Sequence, residues 1–595
     1  MTEYNAPLQD MGFVVHELAA LDGLQKFDVF SEATDDLVEQ ILDEAAKFAR
    51  DVWAPTNVVG DEQGVRVEDK IVIVPEGFAE AYQQYVEGGW PSLEFSPDYG
   101  GMGFPGLVGS AVSEMLQSAN LAFSLCPMLT GGAIHAMDAH ASDELKEQYL
   151  PSMVSGEWTG TMCLTEAQAG SDLSVVKTKA VPDGDAYRII GTKIFITWGD
   201  QEISENVIHL VLARLPDAPE GVRGISLFLV PKYLVNPDGS LGDRNDVFAE
   251  STEHKLGIHA SPTVVMNFGD GEGAVGYLVG EENKGLACMF TMMNHARVGV
   301  GIQGIAVAER AYQLARDFAK ERIQGVAPGI KGRAAIVYHA DVRRMLMIMK
   351  SQIEAMRAVA YVSAADWDVA HYSGDESERS RTNARVALVT PVVKGWMTEV
   401  ALEVTSLGVQ VQGGMGYVEE TGAAQHMRDA RILPIYEGTT GIQALDLAGR
   451  KILGDSGKAM QDLLQEIRSL DDELEAADAD LGIIRSLLSA GVDELEQRAT
   501  WLIKNAPDDP QVPGAASVNL MMQMGTLVGG WQMARAAVAA SRKLASCEDH
   551  EKGFFDAKIV TARFYMEHIL PRATSYARAA CAGSESTMGV PIDLL

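Results

Sequence analysis

A tract of short β-type runs lies between two long helical tracts, and that order limits the possible folds more than any other feature of the chain. The runs are Tyr187-Arg-Ile-Ile, Gly191-Thr-Lys-Ile-Phe-Ile-Thr, Val207-Ile-His-Leu-Val-Leu and Ile225-Ser-Leu-Phe-Leu-Val. They are rich in β-branched and aromatic residues and are separated by turn residues. Before them, Leu37, Ile41, Ala45 and Phe48 recur at helical spacing from Asp36 to about Val52, and Pro55 follows. From Gly285 the helical period returns, with Ile302, Ile305, Ala306 and Val307 in one long helix. Leu463, Ile467, Leu470 and Leu474 share a face of a further helix, and Ile484, Leu487 and Leu488 mark another. Asn505-Ala-Pro-Asp-Asp-Pro-Gln-Val-Pro-Gly reads as a loop, with a last helix from about Val518. A chain of 595 residues is too long for one hydrophobic core. The expected fold is α+β and multidomain: an N-terminal extension (1–35), a helical domain (36–158), a β domain (159–280), a second helical domain (281–453) and a C-terminal helical extension (454–595).

The charge balance excludes several functions. With 83 Asp and Glu against 48 Lys and Arg, the formal net charge is −35. Non-specific binding to nucleic acid or to anionic membrane needs the opposite sign. An anionic ligand would need its own local Arg, Lys or backbone N–H donors. The five cysteines are scattered and form no Cys-x-x-Cys pair, which fits a reducing cytoplasm and gives no metal framework. No metal is expected. The N-terminus lacks the basic segment and apolar run of a secretory signal. The most apolar stretch, near Val528 to Ala540, is broken by Arg535, so no membrane insertion is expected.

Five segments carry chemistry. In Met162-Cys-Leu-Thr-Glu-Ala-Gln-Ala-Gly-Ser-Asp, Thr165 and Ser171 offer hydroxyls, and Ala169-Gly170 permits close backbone approach to a ligand. An ordinary loop with Ser171 or Asp172 as a helix cap explains it equally well. Phe195-Ile196-Thr197 ends a strand that either lies against a flat heterocycle or is simply buried. Arg322, near a helix end, has the planar fork that pairs with a pyrophosphate; a solvated helix terminus is the plainer reading. Gln410-Val-Gln-Gly-Gly-Met-Gly-Tyr is glycine-rich and, alone, weak evidence for phosphate contact. In Arg428-Asp-Ala-Arg-Ile-Leu-Pro-Ile-Tyr-Glu-Gly-Thr-Thr-Gly-Ile-Gln443, Glu437 sits among Leu433, Pro434, Ile435 and Tyr436. A carboxylate there is placed for desolvation and a raised pKa, as a general base needs; the alternative is a helix-start residue, with Thr439 or Thr440 as cap.

Taken together, in this order and spacing, the five segments resemble the acyl-CoA dehydrogenase family from about Asp36 to Leu453. The length, Tyr4-Asn-Ala-Pro-Leu and the C-terminal extension are similar to the long subgroup containing 3-methylmercaptopropionyl-CoA dehydrogenases and bacterial fatty acyl-CoA dehydrogenases. The resemblance implies an N-terminal helical domain, a middle β-barrel and a four-helix bundle, with FAD as cofactor. It implies FAD contacts at Met162, Leu164, Thr165, Gly170, Ser171, Phe195, Ile196 and Thr197. Further contacts are implied at Arg322, Gln324, His339, Gln410, Gly413, Gly414, Thr439 and Gly441, several reaching across a subunit interface. Ser171, Asn294, Arg297 and Gly438 match substrate-side positions, and Glu437 matches the base. Ala167, Asn294 and Ala340 depart from the family pattern, where Pro, Asp and Gln are usual.

The implied reaction is α,β-dehydrogenation of an acyl-CoA thioester to the trans-2-enoyl-CoA, with electron-transfer flavoprotein as electron acceptor and a place in fatty-acid β-oxidation. An acyl-CoA oxidase or a non-catalytic flavoprotein of the same family are the alternatives; acidic stretches such as Asp471-Asp-Glu-Leu-Glu speak against a nucleic-acid-binding relative. The extension is expected to fold onto the bundle of a cytoplasmic homodimer.

Overall fold

The computed structural model describes residues 4–477 and 481–595. The first three residues of the expected N-terminal extension, and 478–480 of the C-terminal one, lie outside the described residues. The chain forms two compact units. One comprises Met1–Glu44, Pro105–Glu114 and Val300–Leu595; the other comprises Ala45–Phe104 and Met115–Gly299.

The second of these units is built on an eight-stranded sheet. Its strands are β1 (Trp158–Cys163), β2 (Lys179–Asp183), β3 (Ala186–Thr197), β4 (Asn206–Ala213), β5 (Ser226–Pro231), β6 (Val247–Thr252), β7 (Thr263–Phe268) and β8 (Ala274–Val279). The path runs β6-β7-β3-β8-β5-β4-β1, with β2 also on β3. Only β1 and β4 run parallel. The sheet is curled. Cys163, Ala180, Ile189, Val211, Phe228, Val247, Val264 and Ala274, one from each strand, lie in a single core. β4 and β5 are buried along their whole length, so both of their faces are covered. The two expected runs from Tyr187 and from Gly191 are one twelve-residue strand. Gly191 is no break: a Cβ there would sit 2.5 Å from the Thr178 hydroxyl of the neighbouring segment.

Helix Leu121–His140 lies against this sheet. Asn120 caps it, accepting from the Phe123 N–H at 3.0 Å. The Gly160 N–H donates to Thr130 of the helix at 3.0 Å, and a Cβ on Gly160 would meet Ala133 at 2.5 Å. The helix Asp35–Phe48 ends much as its spacing suggests, in a π-turn before Pro55 opens the next helix.

The other unit is helical. From Val300 onward the helix Gly285–Glu321 joins Ala340–Tyr372, Glu376–Gln412 and the run from Thr440 to Leu453 to supply the bundle. Gly301 and Gly304 let the first of these approach Val393 and Met397 of the third, where added Cβ atoms would come within 2.4 and 3.0 Å. The extension contributes Lys458–Ser469, Gly482–Asn505, Val512–Leu544, Lys552–Phe564 and Arg572–Ala580. The last long helix starts at Val512, inside the segment expected to be a loop, because Pro513 is compatible with a first helical turn.

The extension packs directly on the bundle. Leu463, Ile467 and Leu474 are buried, as are Met521 and Met524. Trp396 of the bundle lies against a glycine pair of the extension. A Cβ on Gly525 would sit 2.2 Å from Trp396 Cγ, and one on Gly529 would sit 2.6 Å from Tyr565 Oη. Gly525→Ala is therefore expected to cost about 1–3 kcal/mol by overpacking. Gly514→Ala, at a helical site with no atom within 4 Å, serves as control. Thermal melts of both variants check this; equal melting temperatures would mean that Trp396 gives way freely.

A buried charge network ties the ends of the chain to the bundle. Arg357 binds Glu114 at 2.6 Å, Glu309 at 2.9 Å and Asp10 at 2.5 Å, and the Tyr361 hydroxyl donates to Glu114 at 2.8 Å. Lys558 of the extension pairs with Asp10 and, at 2.8 Å, with Glu354. Burial opposes ionisation of Asp10, but Lys558 and Arg357 hold its carboxyl far below the usual range.

Candidate active site

In the sheet-containing unit, the loop after β1 is shaped by Glu166. Its buried carboxylate accepts from the Lys177 and Thr178 N–H groups at 2.8 and 3.0 Å, the Thr178 hydroxyl at 2.6 Å and Lys193 at 2.9 Å. Burial alone would raise its pKa; the Lys193 ammonium and these donors outweigh burial and hold it at about 2. The Glu166 and Ala169 backbones bond to each other, and the Ile194 N–H donates to the Thr165 carbonyl at 2.9 Å. The loop is thereby fixed to β3 just before Phe195. Asp172 caps the short turn Leu173–Val175, so the capping reading of this segment holds. Met162 and Thr165 are half-buried, Leu164 is buried, and Gly170 and Ser171 are exposed.

Phe195 stands apart from an ordinary buried strand. Its φ is +58° and its side chain is 57% exposed, while Trp198, also at positive φ, is buried with its indole N–H on the Ala122 carbonyl at 3.1 Å. Left-handed backbone at a bulky residue costs energy and needs surrounding structure to hold it. Ile196 turns into the sheet core, so only its backbone is available to a ligand. Thr197 is half-buried. On the helix Gly285–Glu321, Arg297 is buried and donates to the exposed Asn294 at 3.3 Å.

In the helical unit, Glu437 has φ +54° and Gly438 +88°. The turn is held from beneath. The Gln443 side chain donates to the Glu437 carbonyl at 3.1 Å, and Lys394, fully buried in the helix Glu376–Gln412, donates to the Gly438 carbonyl at 2.7 Å. Trans peptide geometry then directs the N–H groups of Gly438 and Thr439 away from these two donors. Thr439 caps the next helix, accepting from the Ile442 N–H at 3.2 Å, and Thr440 donates to Glu399 at 2.6 Å. Tyr436 donates to Gln303, and Glu437 is half-buried. Lys394 and Lys193 were not among the residues singled out in the sequence. The signal was there for Lys394: a lone lysine within Val389-Thr-Pro-Val-Val-Lys-Gly-Trp.

The loop from Arg322 to His339 is closed by backbone pairing. The Ile336 N–H donates to the Arg322 carbonyl at 2.8 Å, the Gln324 N–H to the Ala334 carbonyl at 2.9 Å, and the His339 ring bonds the Gln324 carbonyl at 2.8 Å. Arg322, Gln324 and His339 are thus brought together, with both Arg322 and Gln324 exposed. Gln410 is exposed at the end of helix Glu376–Gln412, next to the glycine turn.

The glycines test whether these segments suit a large cofactor. The folded chain explains Gly413 by its φ of +62° and Gly416 by the Val409 carbonyl, 2.5 Å from where its Cβ would lie. It does not require Gly170, Gly414 or Gly441: none has a positive φ, and an added Cβ would meet nothing closer than 3.8 Å. Space kept at Gly170, in the unit that exposes the Phe195 ring, suits close approach of a flat heterocycle, and space kept at Gly414 and Gly441, in the unit that exposes the Arg322 fork, suits close approach of a phosphate.

Family models for the N-terminal, middle and C-terminal domains of acyl-CoA dehydrogenase match residues 35–157, 161–270 and 283–452, and one described as acetyl-CoA dehydrogenase C-terminal like matches 460–591. The chain is 46% identical over 577 residues to 3-methylmercaptopropionyl-CoA dehydrogenase of Ruegeria pomeroyi, covering 95% of this chain and 96% of that protein. It is 34% identical over 595 residues to the broad-specificity linear acyl-CoA dehydrogenase of Mycobacterium tuberculosis, covering 97% of each. Among solved structures, Caenorhabditis elegans ACDH-11 in complex with C11-CoA shares the fold with a TM-score of 0.73 at 20% identity, over 96% of this chain and 93% of that one. The chain belongs to the acyl-CoA dehydrogenase family, a family of FAD-dependent enzymes.

Proposed function

We propose that this protein oxidises the Cα–Cβ bond of an acyl-CoA thioester to the trans-2-enoyl-CoA, with Glu437 as base. The observation that carries the reading is the Glu437 turn: a carboxylate-bearing residue held at positive φ, with the carbonyls on its C-terminal side pinned by Lys394 and Gln443. The carboxylate takes the α-proton, and the Glu437 N–H donates to the thioester oxygen, where negative charge develops. FAD, when bound, accepts the β-hydrogen with its electron pair. Phe195 and Thr197 would flank the flavin ring, Met162, Leu164, Thr165, Gly170 and Ser171 would form its loop, and Arg322, Gln324, His339, Gln410, Gly413, Gly414, Thr439 and Gly441 would hold the rest of the cofactor. Ser171, Asn294, Arg297 and Gly438 would face the substrate.

The substrate we favour is 3-methylmercaptopropionyl-CoA or a linear fatty acyl-CoA, the substrates that the names of the two relatives carry, with electron-transfer flavoprotein as acceptor. Turnover of 3-methylmercaptopropionyl-CoA and butyryl-CoA, measured with an artificial electron acceptor under nitrogen and again with oxygen alone, tests this. Turnover that needs the added acceptor is expected; equal rates with oxygen alone would make the protein an oxidase.

A homodimer is also proposed. Ile323, Val326 and Tyr338 on the Arg322 loop, and Tyr417 beside the glycine turn, are large apolar groups at least half exposed, as a subunit contact would require. The extension meanwhile covers a face of the bundle. Light scattering is expected to give the mass of two chains; a tetramer would contradict the proposal. Among the described residues no helix is long and apolar enough to cross a membrane.

A further inference from the structure

Three side chains from separate elements of the sheet-containing unit meet, one of them on the helix turn that also carries Asn294 and Arg297. Glu94 lies in the segment between two short 3-10 turns, His135 on the helix Leu121–His140, and His295 on the helix Gly285–Glu321. Their ligand atoms all lie within 4.8 Å of one another. His135 Nε2 is 3.7 Å from Glu94 Oε1, and the two imidazole rings are 4.6 Å apart at 45°.

The backbone is built to bring them together. Gly131 and Gly132 lie one turn before His135. A Cβ on Gly132 would come within 3.1 Å of Met292, and one on Gly131 within 3.5 Å of His295 Nε2, so the two helices approach at glycine. His140 and Thr291 bond across the same helix pair at 2.7 Å and fix its register. The cluster is half-buried, with Glu94 and His135 side chains 22% and 20% exposed, which leaves one side open to solvent.

We propose that Glu94, His135 and His295 form a binding site for a divalent transition metal ion of the zinc class, with water at the open fourth position. Two neutral imidazoles and one carboxylate are the donor set that such ions prefer, and Mg²⁺ or Ca²⁺ would want more oxygen. Bonds of about 2.0–2.2 Å place donors roughly 3.4 Å apart, so small side-chain rotations close the site. The ion would clamp the segment that leads into Asp98-Tyr-Gly-Gly-Met-Gly-Phe-Pro onto the helix pair. Cysteine spacing gave no hint of it, because the ligands are histidine and glutamate far apart in sequence.

The test is calorimetric titration of zinc chloride into the chelator-washed, full-length holoprotein, with His295→Gln and Glu94→Gln as variants. One ion per chain is expected, with affinity more than about tenfold weaker in each variant. Cobalt chloride added to the unmodified protein should give the strong visible absorption of a four-coordinate ion, to the red of the flavin bands. No binding, or binding unchanged in both variants, overturns the assignment. If a variant fails to fold, a weak six-coordinate cobalt spectrum, or none, overturns it.

Discussion

Replacing Glu437 by Gln is expected to lower turnover by at least about a hundredfold while the protein keeps its fold and its flavin colour. Gln has the shape of Glu and lacks the basic carboxylate, so the loss reads proton abstraction. The hydrogen bonds that set the turn involve the Glu437 and Gly438 carbonyls, not the part of the side chain that changes. Circular dichroism and flavin absorbance should therefore match the parent. Turnover within tenfold of the parent would assign the base to another carboxylate.

Arg357→Ala is expected to destabilise the helical unit by about 3–5 kcal/mol. The guanidinium is buried and satisfies Asp10, Glu114 and Glu309 together. Removing it leaves those carboxylates facing one another in a dry interior, and breaking a buried ion network costs far more than losing a surface pair. Because Asp10 also receives Lys558, the N-terminal segment and the helix Lys552–Phe564 should loosen with it. A shifted urea midpoint, with faster amide exchange around Asp10 and Lys558, is the expected result. A midpoint change equivalent to less than about 1 kcal/mol, the range of surface pairs, would mean that the network is dispensable.

The fold order was legible because a helical period and a strand period differ in kind. The limits of the elements were less so. Gly191 reads as punctuation, yet it sits inside a strand because the approach of Thr178 leaves no room for a side chain. Pro513 reads as a loop residue, yet it stands where a helix tolerates proline. At the site, the Tyr-Glu-Gly-Thr-Thr and Thr-Glu-x-x-Ala-Gly-Ser-Asp motifs named Glu437 and the loop after β1. They gave no sign that Phe195 and Glu437 take left-handed backbone, since nothing about a phenylalanine or a glutamate announces positive φ. Lys394 and Lys193 were passed over because a lysine is by default a surface residue. Their partners, the Gly438 carbonyl and Glu166, are distant in sequence and near only in the folded chain. Glu94, His135 and His295 were hidden for the same reason.

The most direct test of the account is anaerobic mixing of the purified flavoprotein with 3-methylmercaptopropionyl-CoA, following the visible flavin band. The account predicts that the band bleaches in a single turnover with formation of the enoyl-CoA, and that Glu437→Gln retains the band under the same conditions. Equal bleaching by the parent and the variant would contradict it, as would a parent band unchanged by 3-methylmercaptopropionyl-CoA and by a series of linear acyl-CoA thioesters.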